Sequence, residues 1–175
     1  MRTLRNHQLA IAFSLALAAA LAVAPNLVAL ADDDPHKVQE TLSPAMKKGE
    51  GLYQRGQYKE AAEQFREEIR TSPDNAKAHC RLGACEAGMG NDDTAILEET
   101  TSAKLDPKYF LPHVVMGQVY SNAGKLDLAV KEFKQAVTLK PTSFLSHIDL
   151  GVALVQIGET DEAIRVNKEA SEMDA

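Results

Sequence analysis

The stretch Ala78-His79-Cys80-Arg81-Leu82-Gly83-Ala84-Cys85 places a histidine beside a cysteine and a second cysteine five residues later. Imidazole and thiolate are zinc ligands when several converge on one ion at bond lengths near about 2 Å. Two thiols can also form a redox pair when their Cα atoms lie within about 7 Å. Neither a C-x-x-C nor an H-E-x-x-H spacing is present, and those spacings are what make such chemistry specific. On a helix, Cys80 and Cys85 stand about 140° apart around the axis and about 7.5 Å apart along it. That separation disfavours a disulfide between them, so both read as small apolar fillers, although an exposed thiol in an oxidising compartment would be able to pair between chains. Asp32-Asp33-Asp34 has the charge to attract a cation, but three adjacent aspartates ahead of any periodic segment read as a solubilising tail. No catalytic triad, phosphate-binding loop or paired-carboxylate site stands out. The chain is therefore read as a non-enzyme with no metal and no cofactor.

His79 is not alone, because His113 and His147 follow it at intervals of 34. The same interval links Gly49, Gly83, Gly117 and Gly151. It links Gly56, Gly90, Gly124 and Gly158, then Ala61, Ala95, Ala129 and Ala163, and finally Pro73, Pro107 and Pro141. Ladders of different residue types sharing one period define an internal repeat. Within a period the apolar positions fall at helical spacing twice: Met116, Val119, Tyr120 and Ala123 before Gly124, then Ala129, Val130, Phe133, Ala136 and Val137 after it. Each period is a helix, a tight turn and a second helix. The turn glycines stand where a left-handed conformation ends the first helix. Glycine inside the first helix costs up to about 1 kcal/mol, a cost that close approach of a neighbouring helix offsets, helped by the alanine ladder of the second helix. The prolines end each period.

Composition agrees with helix. The 175 residues are 45% hydrophobic, yet Trp is absent and aromatics reach only 5%. The core must then rely on Ala, Leu, Val and Ile, in one continuous domain.

The first 31 residues stand apart. Arg2 and Arg5 precede an apolar run from Leu9 to Val23 broken only by Ser14, and Ala29-Leu30-Ala31 places small residues where a signal peptidase inspects them. The pattern predicts a signal peptide over 1–31, an acidic tail over 32–41 and a repeat domain over 42–175. A cut after Ala24 would leave Pro25 at the new N-terminus and is less favourable. The alternative is an uncleaved anchor, since apolar residues continue in patches to Leu30 and about 20 residues span a bilayer; Pro25 and Asn26 interrupt that stretch. After cleavage no membrane association is expected, and the domain is placed in the periplasm or outside the cell. Cleavage removes two of 19 basic residues and none of the 25 acidic ones, taking the formal net charge from −6 to −8. Such a domain repels phosphate backbones, which excludes nucleic acid as its natural partner.

The repeat resembles the tetratricopeptide repeat. The family pattern Trp-x2-Leu-Gly-x2-Tyr, Ala-x3-Phe, Pro is matched over 110–143 by His113, Met116, Gly117, Tyr120, Ala129, Phe133 and Pro141. The unit 42–75 offers Gly49, Ala61, Phe65 and Pro73, and 76–109 offers Leu82, Gly83, Ala95 and Pro107. The unit 144–175 offers Leu150, Gly151, Leu154 and Ala163. The resemblance implies an all-α, right-handed superhelical solenoid of four helix-turn-helix repeats of 34 residues. It also places His79, His113 and His147 where the family packs a large side chain, and a ladder spaced by helices about 8–10 Å apart cannot converge on one ion.

The family's concave groove is lined by first helices, and carrying those positions across gives Tyr53, Lys77, Leu111, Val114, Gln118, Asn122, Leu145, Ile148, Val152 and Val155 as the protein-binding face. The face grades from polar to apolar toward the C-terminus. The Lys and Asn arrangement by which some family members grip a terminal carboxylate is missing, with Lys77 the one cation. The expected partner is a protein or peptide presenting an apolar helix or extended segment. The alternative is a homo-oligomer that buries the same face against a second copy. The last unit can cap itself with Asp161, Glu162, Arg165, Asn167, Lys168, Glu169 and Glu172.

Glu99 and Asn167 stand where the pattern asks for phenylalanine. Glu99 lies in the interior of the array, so the helix near 92–105, which also carries Thr100 and Thr101, is expected to be its softest. Amide exchange checks this: protection over 92–105 should fall below that of the matching helix after Gly124, and equal protection would remove the idea.

Overall fold

The computed structural model describes residues 42–173, and the regular structure among them is entirely helical. The expected signal peptide and acidic tail lie outside the described residues. Eight helices follow in order: α1 Pro44–Gln54, α2 Tyr58–Thr71, α3 Ala76–Gly88, α4 Asp92–Leu105, α5 Leu111–Asn122, α6 Leu126–Leu139, α7 Phe144–Ile157 and α8 Thr160–Met173. Each packs on the next, and α3 with α5 and α5 with α7 also meet directly. The result is an all-α repeat solenoid.

Local chemistry sets the helix ends. Ser43, Asn75 and Ser143 accept hydrogen bonds from the backbone N–H groups of Met46, Ala78 and Ser146, capping α1, α3 and α7. Gly56, Gly90, Gly124 and Gly158 hold φ between 71° and 86°, the left-handed region glycine enters without strain. Each follows a first helix and closes it the same way. In α1, Gly56 N–H donates to Tyr53 O at 2.8 Å and Gln57 N–H to Leu52 O at 3.0 Å, the Schellman pattern. The second helices α2, α4, α6 and α8 rely on charge at their starts: Glu60, Asp92, Asp93, Asp127, Asp161 and Glu162 put acid in the first turns, where the helix dipole favours it.

Pairing within each repeat rests on a glycine opposite the residue sixteen positions later. A Cβ added to Gly117 would lie 2.5 Å from the Phe133 ring, and one on Gly49 would lie 2.6 Å from the Phe65 ring. The rings lie flush on the bare backbone. Ala61, Ala95, Ala129 and Ala163, all fully buried, let the second helices come this close. Phe65 and Phe133 anchor two apolar clusters, the first reaching from Met46 to Ala136 and the second joining α6 to α7 and α8.

At the same place in α4 the fully buried Glu99 lies against Gly83, where a Cβ would meet its Oε1 at 2.5 Å. Neither carboxyl oxygen has a hydrogen-bond partner among the described residues that satisfies ordinary geometry. Burial pushes this carboxyl well above the usual range; the Cys80 thiol and the Arg81 charge oppose the shift, and Glu98 adds to it. Burial therefore favours the neutral form of Glu99 over the carboxylate. Asn167, its counterpart opposite Gly151, lies at the exposed end of the array.

A carboxyl whose folded pKa is raised keeps its full contribution below the unfolded pKa, about 4.3 for Glu. That contribution is then lost as pH rises toward the folded value, because the unfolded chain gives up its proton first. Glu99→Gln should raise the melting temperature over the parent by more at pH 8 than at pH 5, with about 1 kcal/mol appearing as a few degrees. An equal gain at both pH values would show that ionisation of Glu99 is not what the fold resists.

Candidate functional site

The inner face is built by α1, α3, α5 and α7. Two polar contacts stitch these helices directly, each joining residues 31 apart. The Arg81 guanidinium pairs with Glu50 across α1 and α3, and Gln118 Nε2 donates to Asp149 Oδ2 at 3.2 Å across α5 and α7. Ala84 and Val115 share that interval between α3 and α5 and are both buried. The first helices thus stand close to one another along this face.

That closeness corrects part of the expected groove. Leu111 and Val114 have no accessible surface; they belong to one buried cluster with Ala78, Cys80, Tyr109 and Phe110, formed where α3 and α5 meet. Tyr53 is also buried, its ring 5.5 Å from that of Tyr58 at an interplanar angle of 58°. These three residues support the face and are not available to a ligand. Lys77 and Gln118 are half-buried, and Asn122 is exposed. Leu145, Ile148 and Val152 are half-buried, and Val155 is 48% exposed. The accessible apolar part of the expected site is thus confined to α7.

The histidines are occupied by local partners. His79 Nδ1 lies 2.7 Å from Glu98 Oε2 and its Nε2 lies 3.0 Å from the Pro73 carbonyl oxygen. His113 Nδ1 lies 2.7 Å from Glu132 Oε2. Position 166 is Val, and His147 turns its Nδ1 to the Ser143 carbonyl at 2.9 Å instead. Sequence reasoning missed these carboxylate partners, although Glu98 and Glu132 are themselves 34 apart and each follows its histidine by 19. Among the described residues no group of three or more His, Cys, Asp or Glu is arranged to hold a metal. Both cysteines are unbonded and fully buried. Burial raises both thiols, Cys80 well above its ordinary range and Cys85 to about 12, far from the reactive thiolate. The α3–α5 contact that hides Val114 also encloses Cys80.

Comparison with known proteins decides the family. A TPR repeat model matches residues 49–90, and a tetratricopeptide repeat model matches 113–143. The chain carries tetratricopeptide repeats. A crystal structure of MamA superposes on this TPR chain with a TM-score of 0.67 at 23% identity, covering 74% of this chain and 76% of that one. The MamA MSR-1 structure is 27% identical, with a TM-score of 0.59 over 74% of this chain and 75% of that one. TTC0263, a thermophilic TPR protein of Thermus thermophilus, has a TM-score of 0.66 at 22% identity over 74% of this chain and 72% of its own. No curated protein sequence matches the chain.

Among the described residues, Asp149 is the groove-side acid whose ionisation the TPR fold displaces upward into the physiological range. Burial pushes its carboxyl to about 6, with the Gln118 hydrogen bond opposing the shift. Its side-chain carboxyl resonance should titrate with a midpoint near 6, and Gln118→Ala should move that midpoint higher. A midpoint near the ordinary carboxylate value of about 4 in the parent would show that the α5–α7 contact does not desolvate it.

Proposed function

We propose that this TPR chain is an exported scaffold that holds an apolar segment of a partner protein against α7. One observation carries the reading: α7 offers Leu145, Ile148, Val152 and Val155 to solvent, whereas the matching positions on the earlier first helices are buried, small or polar. An apolar stripe on the inner face of a solenoid suits a helix or an extended strand that presents side chains at matching intervals. Export is supported by the basic start, the apolar run and Ala29-Leu30-Ala31. No described helix is long and apolar enough to cross a membrane.

The partner is selected by apolar fit and not by capture of a terminal carboxylate. Half-buried residues such as Ile148 need not move far to receive a ligand side chain, so the site is largely preformed and the ordering cost of binding is small. Enzymatic chemistry forms no part of this reading, and Arg81, Glu50 and Asp149 are engaged in contacts between first helices.

The test is capture from cell-envelope extract with the parent chain and with Leu145→Glu, Ile148→Glu, the variant first matched to the parent in melting temperature. A protein retained by the parent should fall at least about tenfold with the variant, equivalent to about 1.4 kcal/mol. Equal retention by both, or retention by neither, would end the α7 reading.

A further inference from the structure

The second helices carry a stripe that looks forward to the next pair. Arg66 on α2 pairs with Glu86 on α3, Thr100 Oγ1 on α4 lies 3.9 Å from Met116 Sδ on α5, and Lys134 on α6 reaches Glu162 on α8 at 3.0 Å. One turn earlier on each stripe stand Ala62 and Val130, which are buried, and Ile96, which is half-buried. On α8 the matching residues are Ile164 and Lys168. Ile164 is 63% exposed, and Lys168 reaches only Glu172, at 3.9 Å, among the described ion pairs. Val152 on α7 also occupies the forward-looking place that Glu50 and Gln118 fill toward Arg81 and Asp149. The last pair presents a stacking face with nothing stacked on it among the described residues.

A second copy cannot cover this face by extending the array in register. Lys47 and Lys48, both exposed, stand on α1 where later first helices carry Arg81, Val115 and Asp149 and the buried Leu82, Met116 and Leu150. End-to-end stacking would press two ammonium groups onto Val152 and Ile164 and bring them toward Lys168, a desolvation with no compensating partner.

The stripe along α8 is instead complementary to itself when reversed. Asp161, Ile164 and Lys168 follow at helical spacing, acid on one side of the isoleucine and base on the other. Arg165 is already engaged with Glu162 and Glu169 on its own helix. Antiparallel pairing of two α8 helices sets Asp161 of each copy against Lys168 of the other, twice, with the two Ile164 side chains meeting between them. We propose that α8 is the seam of a two-fold homodimer, an isologous contact that closes on itself and leaves the inner face of α7 outward in both copies. The seam runs along α8, next to Val152, and leaves Leu145, Ile148 and Val155 of the partner-binding stripe on α7 clear.

The experiment is cysteine cross-linking in the full chain, where Cys80 and Cys85 are buried and silent. Under mild oxidation I164C should give a disulfide-linked dimer, while L97C and L128C, exposed on α4 and α6, should not. Adding Lys168→Asp to I164C should lower the dimer yield at least about fivefold, since it sets like charges together. Adding Asp161→Lys as well should restore at least half of it. Ile148→Glu should leave the yield unchanged. The proposal is overturned by no dimer from I164C, by equal linking at Leu97, by linking of I164C to a different protein, by a yield that the reversed charges do not restore, or by loss of the dimer in Ile148→Glu.

Discussion

The distance between paired helices governs this molecule. A first helix with glycine at 49, 83, 117 and 151 can receive a side chain from the second helix directly on its backbone, and any Cβ there would collide with that side chain. The fully buried alanine ladder removes bulk from the facing surface. Close pairs bring the next pair's first helix close too, and the inner face then becomes a narrow seam of direct contacts, Arg81 with Glu50 and Gln118 with Asp149. Side chains between tightly spaced helices are core, and only the last first helix, with no successor among the described residues, keeps its apolar stripe open. A stacking geometry set by missing methyl groups thus decides where a ligand can touch the protein.

What sits on the glycine matters as much as the glycine itself. Phe65 and Phe133 bring aromatic area and no polar atoms, so their pairs gain from burial. Glu99 has the length to fill the same space but brings two oxygens, and burial raises its carboxyl pKa against the opposing pull of the Cys80 thiol and the Arg81 charge. Arg81 in turn is buried and committed to Glu50. The second repeat therefore gathers three buried charged side chains, Arg81, Glu86 and Glu99, and Arg81 ties them to the α1–α3 contact.

Much of this was legible in the residues. A 34-residue period written in glycine, alanine and proline fixes helix, turn and helix, because each ladder answers one backbone need: a left-handed cap, a close approach, a stop. The unusual place of Glu99 was legible too, as a departure from an otherwise apolar column. Which groove positions stay open was not. Leu111 and Val114 have the apolar character of a binding stripe and equally that of a core, and periodicity does not separate the two when both faces of a helix are apolar. The separation between successive first helices decides it, and that depends on contacts between residues 31 apart whose types vary from ion pair to amide-carboxylate to Ala and Val. The histidine partners were hidden for a related reason: a nineteen-residue step from helix to helix has no signature of its own until the fold brings Glu98 to His79 and Glu132 to His113.

The burial of Cys80 and Cys85 reaches back to the chain before it has folded. In the native state both sulfurs are sealed and hold their protons, so an oxidising environment has nothing to attack. While α3 is still unmade they are an ordinary pair of thiols five residues apart, open to each other and to other chains. Whether the protein matures cleanly is then a contest of rates, with helix pairing on one side and sulfur chemistry on the other. A repeat whose contacts are nearly all between neighbours in sequence is well placed to finish first.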